Sequence, residues 1–555
     1  MNQIKFKTAI VSITMALAFG LWADGEKVAT WKGSIDKQWN KPGNWVEGVV
    51  PGRYFAKDEN NHTITNGDYG WTAKFCRSDA AWLIECSGQL VSISNIVISG
   101  DNATSQIGWN THDIYLEDGG GIYVEESCTK VPTIKSKIGI DCQRTANAYY
   151  HFKNDSSKRL YLESGFTYFR MASGVWGTPH MSFEGKGKTW FGGTFPGNSG
   201  FRPSLDVAMD EGGEFHVTNT LHNFKTLCVP AGHAKQHIVM EPGSVINPVQ
   251  ESQIQIDARS DLEISGSGIL KLRMGDMGSS GSAYIYVGGR TTTTIAVPVT
   301  NVYSGATASF NVRVGTGTLR LTGGNTIPQD IDIERATVEA RTIGMAGEAG
   351  DIGLGRKVTL ALNGALRYTG SGETTDRPIE IGYYTNVLEQ AGTGPVIFTG
   401  CVTSLAWQAT LVLSNDTDVA ATYAGPIVAG TYHPIVIKRG SGEWILSGAN
   451  TTEGMFRHEG GTLTAASASS LPRLTVAGGG TLKIADGVTL TLSTTRLIYE
   501  SGTLDVRPGV GAKFIVTNAV HGPAPEWLTI NGRPAKYKAN GELAIANRGI
   551  IVSFR

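Results

Sequence analysis

The stretch Gly440-Ser-Gly442-Glu-Trp444-Ile-Leu446-Ser-Gly448 carries the pattern that decides the fold. Its apolar residues stand two apart, which places their side chains on one face of a β-strand, and its glycines permit tight turns on both sides. The same pattern returns with small departures at 185–193, 266–272, 315–323 and 392–400. A turn–strand–turn unit that repeats in this way is typical of a solenoid, because a single unit cannot bury its apolar face alone.

Short apolar strands separated by turn residues continue along most of the chain from residue 90 onward. In Val488-Thr-Leu490-Thr-Leu492 aliphatic residues alternate with threonines, which suits a strand with one buried face and one face of stacked hydroxyls. No stretch of the sequence combines a helical period with caps at both ends. We therefore predict an all-β chain in which residues 90–555 form a right-handed parallel β-helix.

The repeat also predicts which side chains are buried. The apolar positions are expected to stack on one another between neighbouring coils. These positions are Leu319, Leu321, Trp444, Leu446, Leu482 and Ile484. The residues between them point to the other face of the strand, so we expect exposed side chains at Arg320, Lys483 and Thr491.

One of these units resembles a known repeat. The residues from Gly440 to Thr451, continued by Gly460-Gly461-Thr462-Leu463, resemble the autotransporter-associated β-strand repeat of secreted bacterial proteins. The stretch from Gly315 to Thr326 follows the same pattern, and the opening from Trp31 to Pro51 is similar to the start of many such proteins. The resemblance implies a parallel β-helix and says little about chemistry. Because the pattern runs almost to Arg555, we expect no barrel translocator within this sequence.

The N-terminus has the pattern of a secretory signal peptide, which we assign to residues 1–23. Lys5 and Lys7 precede an apolar run from Thr8 to Phe19, and cleavage after Ala23 follows Leu-Trp-Ala. A membrane anchor is the alternative, but the run is shorter than the roughly 20 residues of a membrane-spanning helix. We therefore expect a secreted or cell-surface protein with no integral membrane span after the signal is removed.

Residues 24–89 differ from the rest of the chain by their tryptophans. Trp31, Trp39 and Trp45 lie close together among turn-forming residues. Large aromatic side chains bury much area per residue, so this segment is predicted to cap the open end of the solenoid. The alternative interpretation is that the three tryptophans form a platform that stacks on sugar rings.

The composition excludes some partners. Lys and Arg (48) balance Asp and Glu (49), which leaves a net charge of −1 and gives no electrostatic argument for nucleic acid. His233 and His237 are four residues apart, but they lack a neighbouring glutamate and a helical context, so a surface loop is favoured over a zinc site. We expect no metal and no cofactor.

Asp330, Asp332 and Glu334 are the most suggestive acidic group, because residues at a period of two share one face of a strand. Such a group is able to meet Ca²⁺ or a sugar. The simpler interpretation is an outward strand face, since Ile331 and Ile333 alternate with the acids. No compact catalytic motif is present, so no residue is assigned a catalytic role.

Six cysteines in an exported chain raise the question of disulfides. Cys76 and Cys86 are ten residues apart, and Cys128 and Cys142 are fourteen apart. Each pair is close enough in sequence to close a local loop.

Three functions fit these features. The leading hypothesis is a non-catalytic secreted or cell-surface repeat protein, either a structural rod or an adhesin-like one. The second is a carbohydrate-active β-helix enzyme, a polysaccharide lyase or glycoside hydrolase, which would use the aromatic-rich residues 147–200 with nearby acids. The third is a carbohydrate-binding protein. The expected partner is a polysaccharide or another cell-surface component.

Overall fold

The computed structural model describes residues 27–57, 63–79, 83–85, 90–101, 106–108, 113–142, 147–171, 178–195, 202–248, 254–273, 284–301, 309–313, 315–428, 432–450 and 455–546. The predicted signal peptide lies outside them. Strands dominate these residues, and the single helix among them is the short 3-10 turn Pro42–Asn44. Two compact units divide the chain, one formed by Met1–Cys228 and Gln236–Ile246, the other by Val229–Lys235 and Asn247–Arg555.

The first unit is built mainly from two parallel stacks of strands, to which β10 and β13 add parallel pairs and β2 and β3 an antiparallel pair beside β6. One stack contains β1, β4, β6, β8, β11, β14, β16 and β19 in this order, and the other contains β5, β7, β9, β12, β15, β17 and β20. The last residue of β19 and of β21 belongs to the second unit. The strand bounds are β1 Lys27–Thr30, β2 Arg53–Lys57, β3 Thr63–Asn66, β4 Trp71–Phe75, β5 Leu83–Ile84, β6 Leu90–Ile98, β7 Gln106–Ile107, β8 Ile114–Val124, β9 Thr133–Ile134, β10 Ile138–Cys142, β11 Tyr149–Asn154, β12 Leu160–Leu162, β13 Phe166–Met171, β14 His180–Gly185, β15 Lys188–Phe191, β16 Ser204–Met209, β17 Glu214–Val217, β18 Thr220–His222, β19 Leu227–Val229, β20 Gln236–Met240 and β21 Val245–Asn247.

The second unit has three long parallel stacks, beside which β24 pairs in parallel with β27 and β47 with β50. The first contains β22, β25, β28, β30, β32, β35 and β38, the second runs from β23 through β29, β31, β33, β36 and β39 to β48, and the third runs from β34 through β42 to β52. The strand bounds are β22 Ile254–Ala258, β23 Leu262–Gly266, β24 Ile269–Leu272, β25 Tyr284–Val287, β26 Thr292–Ile295, β27 Val299–Asn301, β28 Phe310–Arg313, β29 Thr318–Leu321, β30 Ile331–Glu334, β31 Thr337–Ala340, β32 Val358–Ala361, β33 Ala365–Tyr368, β34 Ser371–Thr375, β35 Ile379–Ile381, β36 Thr385–Gln390, β37 Gly394–Phe398, β38 Val402–Ser404, β39 Thr410–Asn415, β40 Ala421–Tyr423, β41 Ile435–Arg439, β42 Glu443–Leu446, β43 Phe456–His458, β44 Thr462–Ala465, β45 Leu474–Ala477, β46 Gly480–Ile484, β47 Thr489–Ser493, β48 Leu497–Ser501, β49 Leu504–Pro508, β50 Lys513–Thr517, β51 Gly522–Pro523, β52 Leu528–Ile530, β53 Arg533–Tyr537 and β54 Leu543–Ile545.

Each unit is therefore a stack of parallel coils, and the predicted parallel β-helix is confirmed. The parallel pairing already includes β1 and β4, so the coils begin within the segment 24–89 that was predicted to be a cap. In the second unit the parallel series finishes in antiparallel pairs between β52, β53 and β54. An antiparallel finish covers a strand edge that would otherwise be open to pairing.

The glycines of the repeat lie where two coils approach closely. Gly440 has a left-handed backbone (φ +83°), and a Cβ at this position would lie 2.4 Å from the carbonyl oxygen of Asn415 in the preceding coil. A Cβ at Gly442 would lie 2.4 Å from the carbonyl oxygen of Thr417. The repeat therefore requires glycine for both reasons, conformation and space.

The asparagine at the end of the repeat joins three coils. Asn450 accepts a hydrogen bond from the Ile427 backbone N–H at Oδ1 (2.8 Å) and donates from Nδ2 to the Ser470 carbonyl (2.5 Å). Asn325, at the same place in an earlier copy, accepts from the Val299 N–H (2.9 Å). These bonds satisfy backbone groups at the turns, which explains why both copies of the repeat unit end in an asparagine.

The burial predictions are largely confirmed. All six predicted apolar positions are buried, Leu319, Leu321, Trp444, Leu446, Leu482 and Ile484. Arg320 and Thr491 are exposed as expected. Lys483 is only half-exposed, because its ammonium group forms an ion pair with Glu443 two coils away, at 2.7 Å.

Candidate functional site

The three predicted cap tryptophans form one buried cluster. Trp31, Trp39 and Trp45 are 0%, 1% and 0% exposed. Trp45 makes edge-to-face contacts with both of the others at 5.0 Å between ring centroids, and Phe75 of β4 packs against all three rings. The Trp45 indole N–H donates to the Trp39 carbonyl (2.8 Å). This burial supports the cap interpretation and leaves no ring face on which a sugar would stack.

The predicted acidic group lies on β30 and the residue before it. Ile331 and Ile333 are fully buried, while Asp330, Asp332 and Glu334 lie on the opposite face and are partly exposed. Burial of the two isoleucines is therefore enough to explain why acidic and apolar residues alternate here, as in the simpler interpretation. Among the described residues there is no group of three or more His, Cys, Asp or Glu side chains suited to hold a metal ion.

Two of these acids have structural partners. Asp330 Oδ1 accepts hydrogen bonds from the backbone N–H groups of Arg356 (2.7 Å) and Lys357 (3.1 Å) in the next coil. Glu334 forms an ion pair with Arg313 Nε at 3.2 Å on the preceding strand β28. These contacts hold neighbouring coils together.

In the aromatic-rich region 147–200, the phenylalanines whose side chains the structure describes point inward. Phe152, Phe183 and Phe215 occupy successive coils, with ring centroids 5.1 Å and 4.5 Å apart, and all three are fully buried. Trp190 and His216 form a second stack on the outer face of β15 and β17, at 3.7 Å between rings. The region is therefore mainly core, and its polar chemistry lies on the outer strand faces.

One polar group on the outer face of β14 and β16 joins four side chains. His180 Nδ1 lies 2.9 Å from Asp206 Oδ2, Ser204 Oγ donates to Asp206 Oδ1 (3.1 Å), and Cys228 Sγ lies 3.1 Å from Ser204 Oγ. Tyr149 stacks on the His180 ring at 4.3 Å. Ser204 bonds to Asp206, and Cys228 contacts Ser204. Neither bond is to the His180 imidazole, so the geometry is not that of a nucleophile activated by histidine.

The next pair on this face is His151 with Glu184. Their Nδ1 and Oε1 atoms lie 2.7 Å apart. Burial acts to raise the pKa of the Glu184 carboxyl, but the hydrogen bonds with His151 and Ser182 and the charges of His151 and Lys153 together outweigh it and hold that pKa below its ordinary value. Glu184 is therefore a charged partner of the histidine and does not have the raised pKa of a general acid.

A ladder of alternating charges crosses four coils of the second unit. Arg320, Glu339, Arg367 and Glu389 are in register on β29, β31, β33 and β36. Glu339 is paired with Arg320 and lies 2.9 Å from Arg367 Nη1, and Arg367 Nε lies 2.8 Å from Glu389. Burial acts to raise the pKa of Glu339, but the two guanidinium groups outweigh it and lower that pKa. The ladder ties each coil to the next.

Four large apolar side chains project from one edge of the second unit, and sequence reasoning missed them. Tyr383, Tyr384, Leu405 and Trp407 are 60%, 64%, 52% and 69% exposed. We call this group the aromatic corner. The two tyrosine rings lie 6.5 Å apart. The adjacent pair Tyr383-Tyr384 directly after Gly382 was the available sequence signal, because glycine marks a turn and turn residues lie at the surface.

The aromatic corner is formed by two stacked turns. The first turn joins β35 to β36, and the second joins β38 to β39 in the next coil. The Leu405 N–H donates to the Ile381 carbonyl (2.8 Å), and the Thr410 N–H donates to the Tyr384 carbonyl (3.0 Å). The four side chains therefore come from consecutive coils, which are spaced by about 4.8 Å.

Buried polar side chains hold both turns. Asn386 Nδ2 donates to the carbonyls of Gly382 (3.1 Å) and Tyr384 (3.3 Å). Ser404 Oγ donates to the Ala406 carbonyl (2.8 Å). Asn386 and Ser404 are themselves almost inaccessible to solvent. The exposed rings thus stand on a fixed backbone.

A shallow groove of about 310 Å³ lies on the same edge, in the turns of the three preceding coils. These turns join the first sheet of the second unit to its second sheet, as do the turns of the aromatic corner. The groove is lined by Gly315, Thr316, Arg335, Ala336, Thr337, Leu362 and Asn363. The edge therefore carries a groove and then aromatic rings along successive coils.

The cysteine and histidine predictions have different outcomes. Cys76 is partly exposed and Cys128 is buried, and Cys128 Sγ lies 3.4 Å from the Lys130 carbonyl oxygen. Cys86 and the side chain of Cys142 lie outside the described part of the chain, so the two pairings stay predictions. His233 is exposed just before β20, as a surface loop requires. His237 lies within β20 and is only partly exposed, so the surface-loop prediction is wrong for this residue.

Comparisons with known proteins identify no relative: no family model, no curated protein and no solved structure matches this chain. The resemblance to the autotransporter-associated repeat therefore stays a prediction. No helix in the described residues has the length and apolar character needed to cross a bilayer.

Proposed function

We propose that this chain is a non-catalytic, exported β-solenoid that serves as a scaffold outside the cell or at its surface. The observation that carries the proposal is the charge ladder from Arg320 to Glu389, in which charged side chains of successive coils are paired with one another. A lateral face used in this way stabilises the stack of coils. The paired roles of Asp330 and Glu334 point in the same direction.

Export is tested in the native host by cell fractionation and mass spectrometry of the N-terminus. We expect the chain outside the cytoplasm, accessible to added protease on intact cells, and beginning at Asp24. A cytoplasmic chain that retains residues 1–23 would contradict the proposal.

Catalysis is tested by incubating the protein with a panel of polysaccharides and measuring reducing ends and unsaturated products. We expect neither to form. If products do form, His180→Ala and Asp206→Asn identify whether the polar group on β14 and β16 is responsible. If these variants lose product formation while the fold stays intact, the scaffold proposal is wrong and the protein is an enzyme.

A further inference from the structure

The edge that carries the groove and the aromatic corner has an unusual backbone. Nine residues other than glycine have positive φ in the described part of the chain, and five of them lie in the turns that line the groove or form the aromatic corner. A sixth, Arg290, lies in the corresponding turn two coils before that of Arg335. Four of the five are not asparagine, the residue that tolerates this conformation best: Arg335 (φ 56°), Leu362 (φ 55°), Tyr384 (φ 68°) and Gln408 (φ 59°). They occupy four consecutive coils.

A left-handed backbone at such residues is unfavourable by roughly 1–2 kcal/mol relative to the right-handed form. Glycine removes this penalty, and the chain uses glycine at the corresponding turn of the preceding coil, where Gly315 has a φ of 124°. The side chains of Tyr384 and Arg335 are nevertheless present and exposed, and they bury no core surface. Strained residues of this kind collect at ligand sites, where the side chain itself is needed.

We propose that the aromatic corner, together with the groove in line with it, binds a linear neutral polysaccharide that lies along the stack of coils. The proposal goes beyond the scaffold function, which stands if this one fails. Tyr and Trp rings combine an apolar face with a polar group at the edge, as does a pyranose ring. Rings on successive coils repeat at about 4.8 Å, so the surface matches a polymer with a short repeat better than a single small molecule.

The chemistry around the rings favours a neutral chain. Among the residues that line the groove and form the aromatic corner, Arg335 is the only charged one. Thr316 and Thr337 supply hydroxyl groups along the groove. Such groups exchange hydrogen bonds with sugar hydroxyls, whereas an anionic polymer would require several cations.

Affinity electrophoresis of the full chain in gels containing hydroxyethylcellulose, laminarin, xylan or no polysaccharide tests the proposal. We expect retardation by at least one of the three polymers. The double variant Tyr383→Ala/Trp407→Ala should bind that polymer at least about tenfold more weakly, since truncated aromatic anchors typically account for most of a binding energy. Circular dichroism should show an unchanged fold, because both side chains are exposed.

Two further variants separate the aromatic corner from general surface stickiness. Tyr384→Gly removes a ring and relieves the left-handed backbone, so it should lose affinity without losing stability. Tyr499→Ala is the matched control, because Tyr499 is 45% exposed and stacks on Trp527 in the same unit, away from the corner. Its retardation should equal that of the unmodified chain.

Three results would overturn the proposal. The first is that none of the three polymers retards the unmodified chain. The second is that the double variant is retarded as strongly as the unmodified chain. The third is that Tyr499→Ala loses as much affinity as the double variant. Sedimentation velocity tests whether a second copy of the protein occupies the aromatic corner. If the unmodified chain self-associates and the double variant does not, the aromatic corner is a contact between copies of the protein and not a polysaccharide site.

Discussion

The cap cluster and the aromatic corner are built from the same kinds of side chain and have opposite environments. Trp31, Trp39 and Trp45 are buried, whereas Tyr384 and Trp407 are more than three-fifths exposed. Hydrophobicity does not distinguish the two sets. The cap segment folds back over the coil at Phe75, so its rings point toward apolar neighbours. The turns of the aromatic corner lie at the surface of the second unit, and their rings point into solvent.

The backbone explains the difference. In the cap, the side chain of Asn44 fixes the loop by accepting from the Ile35 N–H (2.9 Å) and donating to the Gln38 carbonyl (2.9 Å). In the aromatic corner, a left-handed residue, Tyr384, turns the chain, and Ala406 is the residue that points inward in the second turn. Exposure of an aromatic ring is thus decided by the path of its turn.

The largest difference is expected between Trp45→Ala and Trp407→Ala. Trp45 contacts two other tryptophans and Phe75, so truncating it should lower the local unfolding free energy by about 3–5 kcal/mol. Trp407→Ala should change it by less than about 0.5 kcal/mol. Hydrogen exchange in β1 and β4 for the first variant, and in β38 and β39 for the second, measures both. Similar changes in the two variants would remove the distinction between cap and corner.

The contrast between buried and exposed groups extends to histidines. Burial and the charge of Lys438 lower the pKa of His458 to about 4, from an ordinary value of 6.5. The unfolded chain binds the proton more readily, so stability is present above pH 6.5 and is lost as the pH falls toward 4. The loss should be on the order of 3 kcal/mol in the coils around β43.

The variant His458→Leu tests this assignment by denaturant unfolding at pH 7 and pH 4.5. It should lose less stability between the two pH values than the unmodified chain does. His233→Leu, at an exposed position just before β20, is the control and should leave the pH dependence unchanged. Equal pH dependence in all three proteins would show that His458 is not the group responsible.

A smaller effect is expected in the charge ladder. Glu339→Gln keeps the shape of the side chain but removes its charge between Arg320 and Arg367, which should lower stability by about 1 kcal/mol because both arginines are partly exposed. Glu389→Gln, at the end of the ladder, should have a smaller effect. Thermal unfolding with and without about 1 M NaCl measures both, and salt should reduce the difference. A salt-independent loss in Glu339→Gln would indicate packing and not charge.

The smallest effect has the opposite sign. Tyr384→Gly should raise stability by roughly 0.5 kcal/mol, since relief of the left-handed backbone exceeds the added freedom of the unfolded chain. Arg290→Gly, with a φ of 63° away from the aromatic corner, should give a similar gain. Chemical denaturation of the two variants compares them. Clear destabilisation by Tyr384→Gly alone would mean that the ring supports the fold.

Periodicity made the coils predictable and left the aromatic corner unpredictable. Leu319, Leu446 and Leu482 are buried because every second residue of a strand must face the coil interior. Leu405-Ala-Trp407 has the same spacing, yet Ala406 points inward and its large neighbours point outward. Period-two spacing has this meaning only inside a strand, and these residues form a turn. Lys483 was misjudged because its partner Glu443 is forty residues away in sequence.

The sequence by itself determined that this chain is a parallel β-solenoid with a tryptophan cluster near one end, because strand alternation, turn glycines and large aromatics act locally and repeat. Only the tertiary structure decided which residues of different coils share a surface. The register between coils placed Arg320 beside Glu339 and brought the turns of Tyr384 and Trp407 together. In a solenoid each lateral surface is assembled from residues some twenty positions apart, so its chemistry depends on coil length and register, which local patterns do not specify.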